Sequence, residues 1–307
     1  MDIKRLLLAL LVLFGAGFIV TWFLSLRRSV RAEGVQDRPA PPTPFQIALG
    51  AVTNFFDTLG IGSYAPTTAV FKLKRMVRDE RIPGTLTIGH TLPTVAQALI
   101  FISIVEVELA TMITLIAAAV LGAWLGAGVV ARWPRRKVQF GMGFALLAAA
   151  GLFIVKNLDE MRGTPVFPGG EAVGLQTTVL IGAAVASFVL GALMTIGVGF
   201  YAPCLIMISL LGMNPRAAFP IMMGSCAFLM PVASVKFLQA KKYSPRPALG
   251  LAIGGIPAVL VAALIVKSLP LTMLRWLVVV VVLYAAVTMI RSGVREARLP
   301  AQAPAAH

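Results

Sequence analysis

The sequence predicts an all-α integral membrane protein made of two inverted-topology repeats, each a re-entrant helical hairpin plus three transmembrane helices, preceded by an N-terminal anchor helix. Three observations lead there. Of 307 residues 58% are hydrophobic and 13% charged, against roughly 25% charged residues in an ordinary soluble domain. Several apolar runs reach the roughly 20 residues that carry a helix across the hydrocarbon core. Finally, one peculiar stretch occurs twice, as TLGIGSYAP at 58–66 and TIGVGFYAP at 195–203, a constant 137 positions apart. Six of the nine residues are identical and Gly, Gly, Tyr and Pro keep register. That period is far too long for a solenoid and reads as duplication of half the chain.

Residues 6–26 form the first apolar run. Arg27, Arg28 and Arg31 follow it directly, with no small-residue cleavage site before them, so it reads as a retained anchor rather than a signal peptide. The Pro-rich PAPPTP at 39–44 cannot continue a helix and serves as a linker. Apolar segments then fall near 45–71, 82–105, 109–131, 138–156, 174–211, 217–240, 247–266 and 271–290. Residues 174–211 are too many for one crossing, and both this segment and 45–71 are broken by the repeated glycines and proline. The chain thus divides into anchor and linker (1–44), a first repeat (45–156), a polar loop (157–173), a second repeat (174–291) and a tail (292–307).

Charge decides how the broken segments run. If each enters and leaves the membrane on one side, 20 of the 27 Lys and Arg residues gather on the cytoplasmic face. They lie in clusters around residues 27–38, 72–81, 132–137, 236–246 and 291–298. Glu106, Glu108 and the loop with Asp159, Glu160, Arg162 and Glu171 then face outward. If each broken segment crosses once, the clusters at 72–81 and 132–137 move outside, against the positive-inside rule. The hairpin reading is the consistent one. A hairpin plus three crossings is an odd number of passes, so the second half is inserted upside down, a recurrent build of secondary transporters. The N-terminus is then periplasmic and the C-terminus cytoplasmic.

Irregular backbone at membrane depth persists only where it is buried or lines a cavity. Glycine allows the bend and the close approach of a ligand, and Pro66 and Pro203 suit the first turn of a new half-helix. The free N–H groups of such a turn, with the positive end of its dipole, form an anion site. The candidate binding residues are Thr58, Gly60, Gly62, Tyr64, Pro66 and Thr67 at the first break, and Thr195, Gly197, Gly199, Tyr201 and Pro203 at the second. Thr87 and Gln97 join them from the segment after the first break, and Ser225 from the segment after the second. A pair of tightly packed helix kinks is the plainer alternative. An aspartate inside a membrane segment costs about 2.5–3.5 kcal/mol on insertion scales and usually marks an ion or proton path. Asp57, with Asn54 and His90, is therefore a candidate for proton coupling. The alternatives are that Asp57 caps the hairpin tip and that His90 serves a helix–helix contact.

The net charge of +15 lies in loop clusters rather than on one face, which argues against nucleic-acid binding. Cys204 and Cys226 lie in apolar segments and suggest neither a disulfide framework nor a metal site. No cofactor is expected, and no Walker, nucleophile-elbow or HExxH sequence points to an enzyme. GAWLGAG at 122–128 has the small-residue spacing of close helix packing. Trp22, Trp133 and Trp276 near segment ends fit an interfacial belt.

The doubled G-x-G-x-x-x-P motif, carried here by NFFDTLGIGSYAPTTAVFKL, IPGTLTIGHTLPTVAQALIFI and GALMTIGVGFYAPCL, resembles the TauE/SafE family of sulfite and organosulfonate exporters. The similarity covers about residues 45–291. It implies export of a small sulfur-containing anion across the bacterial inner membrane, driven by an ion gradient. The N-terminal anchor, Asp57 and His90 depart from the family pattern. The sequence expectation is thus a secondary transporter with a small anion and the lipid bilayer as its partners. Proton coupling, homodimer formation and a passive anion channel stay open.

Overall fold

The computed structural model describes residues 3–32, 41–130, 133–161, 170–195 and 199–298. Those residues form helices joined by turns, with no strand among them. In chain order the helices are α1 (Ile3–Ala32), α2 (Pro44–Thr58), α3 (Tyr64–Leu73), α4 (Ile82–Ile104), α5 (Leu109–Val130), α6 (Arg135–Met161), α7 (Thr177–Met194), α8 (Tyr201–Leu210), α9 (Ala218–Gln239), α10 (Pro245–Ser268) and α11 (Leu271–Arg298). Eight of them, all but α2, α3 and α8, are long and apolar enough to cross a membrane. This is the architecture of a multi-pass membrane protein. α11 continues through Arg298, past the boundary expected at residue 291, and α6 reaches Met161, into the expected loop.

Each helix starts where its sequence permits. Thr43 and Gln46 form a reciprocal capping box at the start of α2, with Pro44 in its first turn. Pro83 stands in the first turn of α4 and Pro245 in that of α10. Between α2 and α3 the chain turns through Gly60 (φ +94°) and Gly62 (φ +88°), a region that side chains with a Cβ rarely occupy. The break at TLGIGSYAP is therefore a real interruption, closed by bonds from Gly60 N–H to Asp57 O and from Ile61 N–H to Phe56 O.

α4 and α9 form the centre, with 67% and 72% of their apolar stretches buried, whereas α1 at 22% lies against the outside. The two central helices run antiparallel. Phe101 stacks on Phe219 with ring centroids 5.1 Å apart, Thr91 meets Ser234 at 2.8 Å, and Gly84 lies against the Lys242 carbonyl. α6 and α11 are also antiparallel, Gly143 resting on Ile290 and Gly293 on Phe140.

Two further pairs run parallel and pack backbone to backbone. A Cβ on Gly50 of α2 would lie 2.6 Å from the Leu251 carbonyl of α10. One on Gly122 of α5 would run into the Phe188 carbonyl of α7. Gly126 of α5 sits likewise on Ala192, and Gly191 of α7 on Ala119, so Gly122 and Gly126 of GAWLGAG do hold a close helix contact. Helices that pack this closely gain dispersion contact that bulkier side chains would block.

The two broken segments approach from different ends of the bundle. The start of α2 and the end of α3 are neighbours, with Lys74 Nζ 5.8 Å from the centre of the Phe45 ring. Arg246 donates to the Pro41 carbonyl nearby, and the Ser244 N–H to Thr85 Oγ1. At the opposite end, the chain entering α7 meets the chain leaving α8. Gly170 N–H donates to Gly212 O, and Asn214 N–H to Ala172 O. Glu108 N–H bonds Val173 O at that same end. The clusters containing Lys74, Lys242 and Arg246 therefore share one end, and Glu106, Glu108 and Glu171 the other.

The anchor helix α1 packs on α4 and α9. Trp22 is 5% exposed and stacks on Phe18, beside Ile88 and Leu238, so it is a core residue rather than a member of an interfacial belt. Trp133 is exposed, as a belt residue would be.

Candidate functional site

The polar residues that interrupt the apolar bundle converge on the break between α2 and α3. At the end of α2, Asp57 is buried at 4% exposure, and its Oδ1 accepts the Ser63 N–H at 2.7 Å. The carboxylate thus caps the first turn of α3, whose N-cap, Ser63, makes no side-chain bond of its own. Gln97 of α4 donates from Nε2 to Asp57 Oδ2 at 3.0 Å and to Thr58 Oγ1 at 2.9 Å. Its other amide atom, Oε1, accepts from the Tyr201 hydroxyl of α8 at 3.4 Å. A single glutamine therefore ties the first break to the start of the second half-helix. Gln97 is fully buried, so its amide is satisfied by protein groups alone.

A second set of bonds surrounds His90, also fully buried. Its Nδ1 lies 3.0 Å from Asn54 Oδ1 on α2, and its Nε2 lies 3.3 Å from Thr67 Oγ1 on α3. Asn54 Nδ2 donates to the Gly50 carbonyl at 2.8 Å, and Thr67 Oγ1 to the Ser63 carbonyl at 2.7 Å. The Tyr64 ring lies 5.8 Å from the His90 ring, and its hydroxyl bonds Thr87 at 3.3 Å. Helical spacing alone put Thr87, His90, Thr94 and Gln97 on one side of α4; the turn at Gly60–Gly62 brings α2 and α3 to that side.

The break also leaves donors open. Tyr64 and Ala65 occupy the first two positions of α3, Pro66 has no N–H, and while Asp57 takes the Ser63 N–H the Ser63 side chain caps neither Tyr64 nor Ala65. α8 repeats the arrangement with Tyr201, Ala202 and Pro203, again uncapped. Gly60 approaches the second half directly, its Cβ position 3.5 Å from Leu205 and 3.7 Å from Val281.

Not every candidate joins this cluster. Thr195 and Ser225 turn their hydroxyls back to Ala192 O and Ile221 O of their own helices. Gly199 lies beside Met289, and Gly197 lies outside the described residues. Cys204 and Cys226 are free and buried, Cys226 Sγ lying 3.7 Å from Met194 Sδ. An apolar groove of about 370 Å³ opens between α6, α7 and α8, with Leu146, Leu190, Pro203 and Ile206 in its wall. Among the described residues no three His, Cys, Asp or Glu side chains gather as a metal site.

Sequence reading missed Ser63, which takes the Asp57 bond, and Ser234, which joins α9 to α4. Ser63 carried a usable signal, a serine just ahead of the Y-A-P half-helix. Ser234 carried none, because its partner Thr91 is 143 residues away.

No family model, curated protein or solved structure matches the chain. The likeness to TauE/SafE exporters rests on the motif residues themselves.

Proposed function

We propose that this chain is a secondary transporter exporting a small anion by alternating access between two inverted repeats. Sulfite or a related organosulfonate is the substrate class that the TauE/SafE resemblance implies, and the bacterial inner membrane the implied location. The observation that carries the reading is the link from Asp57 and Thr58 through Gln97 to Tyr201, which joins two helix breaks deep inside the bundle. Discontinuous helices meeting at a repeat interface are where transporters of this build hold substrate.

Three features support the inverted arrangement. Counting 137 residues on, α2 corresponds to α7, α4 to α9, α5 to α10 and α6 to α11. The contact of α2 with α10 is then the counterpart of that of α7 with α5. The corresponding helices α4 and α9 run antiparallel, as do α6 and α11, which a two-fold axis in the membrane plane requires. Each broken segment also begins and ends at one end of the bundle, the first at the basic end and the second at the acidic end. The positive-inside rule makes the basic end cytoplasmic.

The first break also bears on coupling. Asp57 already occupies the N-terminus of α3, so a substrate anion drawn to the Tyr64 and Ala65 N–H groups arrives beside a carboxylate. Two like charges in a low-dielectric site repel strongly. Anion binding there therefore goes with a proton on Asp57, and the anion and proton move together.

Proteoliposomes loaded with sulfite test the reading. A transporter gives saturable efflux, accelerated by sulfite on the opposite side, and a transmembrane pH gradient shifts its rate. A passive channel gives efflux that follows the electrochemical gradient without counterflow, and that result overturns the proposal.

A further inference from the structure

The bonds around His90 leave few choices for its protons. Asn54 Nδ2 faces two carbonyl oxygens, Gly50 O at 2.8 Å and Leu251 O at 3.5 Å. Flipping the amide would replace those donations with oxygen facing oxygen. Asn54 Oδ1 is therefore the atom presented to the ring, 3.0 Å from Nδ1. An amide oxygen only accepts, so Nδ1 must carry a hydrogen.

The other nitrogen faces a hydroxyl that has a single hydrogen to give. Thr67 Oγ1 is 3.3 Å from Nε2 and 2.7 Å from the Ser63 carbonyl. If the ring is neutral, Nε2 is an acceptor and Thr67 must turn its hydrogen toward it. If the ring is charged, Nε2–H donates to Thr67, whose hydrogen turns to Ser63 O. The Ser63 carbonyl is not orphaned in either case, because it also accepts the Thr67 N–H at 3.1 Å. Both states are satisfied with no heavy atom out of place. Ser63 is in turn the residue whose N–H is held by Asp57.

We propose that His90 takes up and releases its proton at Nε2 alone, with Nδ1–H locked by Asn54, and that the Thr67 hydroxyl passes the change to the break at Ser63. Asn54 and Thr67 are positioning residues in this arrangement. The titratable group against the ring is Tyr64 on α3, inclined at 30° with centroids 5.8 Å apart; Asp57 on α2, Tyr201 on α8 and Cys226 on α9 lie beyond it, within electrostatic reach of Tyr64. Asp57 is engaged by Ser63 and Gln97, so the carboxylate is coupled to His90 through Ser63 rather than by direct contact. The coupling role rests on the transport reading of this site; the proton's address on the ring does not.

The sequence has only one other histidine, His307. The His307→Ala chain, labelled with ¹⁵N-histidine and reconstituted in lipid, therefore reports on His90 alone by solid-state NMR. Titration from about pH 9 to about pH 3 spans the usual range of imidazole and extends below it. The expected result is a neutral ring with a protonated Nδ1 and an unprotonated Nε2 at the alkaline end, and loss of the unprotonated Nε2 signal on acidification. Thr67→Val displaces the Nε2 resonance and Thr67→Ser restores it. A neutral ring protonated at Nε2 overturns the assignment, and a ring that never changes protonation overturns its use in coupling. Sulfite counterflow in the same proteoliposomes fails independently: its absence beside the expected tautomer removes the transport reading and leaves the proton site.

Discussion

The two broken segments share a sequence motif and differ in chemistry. Both carry the same Gly, Gly, Tyr and Pro, yet residues 137 apart part company around them. Asn54, Asp57, Ser63, Thr67, His90 and Gln97 in the first half face Gly191, Met194, Phe200, Cys204, Ala227 and Ser234 in the second. Where Asp57 binds Ser63 and Gln97, Met194 receives only the weak Cys226 S–H at 3.7 Å. Their surroundings differ as well. α8 is enclosed by α6, α9 and α11, with Cys204, Leu205 and Ile208 fully buried, whereas α3 leaves Tyr64, Ala65 and Ala69 exposed. On the proposed duplication, both halves keep the motif that an interface between them would need. Ionisable chemistry is concentrated in the half whose break is open, and the apolar half supplies the packed wall it works against.

The contrast can be broken most sharply at its centre. Asp57→Leu strands the Ser63 N–H and one Gln97 N–H, each costing about 1–3 kcal/mol when buried. Its melting temperature in detergent should fall far more than that of Met194→Leu, a volume-conserving change costing under about 1.5 kcal/mol. Equal losses would mean that the two breaks are held alike. Next come the contacts the halves share. Gly50→Val and Gly191→Val each drive a side chain into a facing backbone and should cost about 1–3 kcal/mol. Similar drops in both variants would sharpen the view that the frame is symmetric. Smaller still is Tyr201→Phe, which removes the bond to Gln97 worth about 0.5–1.5 kcal/mol. It should alter sulfite efflux more than it alters the melting temperature, because that bond joins the two breaks. The least perturbing test leaves stability unchanged. A water-soluble maleimide should modify Ala65→Cys and Ala69→Cys but not the native Cys204 and Cys226.

Much of the frame was legible from local signals. Apolar run length located seven of the eight long apolar helices as crossings, and α7, the eighth, as one arm of a hairpin; the repeated nonapeptide located both breaks within a residue or two of the observed helix ends. Charge distribution separated the ends of the bundle before any contact was known. The network was harder to read, because its bonds join residues that periodicity cannot relate. His90 meets Asn54 across 36 positions, and Tyr201 meets Gln97 across 104. Polarity within an apolar segment flagged Asn54, His90 and Gln97, and the repeated motif flagged Tyr201, but neither could pair them. Trp22 was misread for a related reason. Its place near the end of α1 suggested an interface, whereas tertiary packing on Phe18 and Ile88 buries it.

The opposed insertion of the two halves underlies everything proposed for the site, and two equivalent positions test it directly. Lys74 and Leu211 lie 137 residues apart, each capping the C-terminus of its short half-helix and each exposed. Single cysteines at these positions, in a Cys204→Ala/Cys226→Ala background, can be probed with a membrane-impermeant maleimide applied to sealed vesicles of known orientation. The account predicts that Lys74→Cys reacts only from the cytoplasmic side and Leu211→Cys only from the opposite side. Reaction of both from one side would make the repeats parallel and would contradict it.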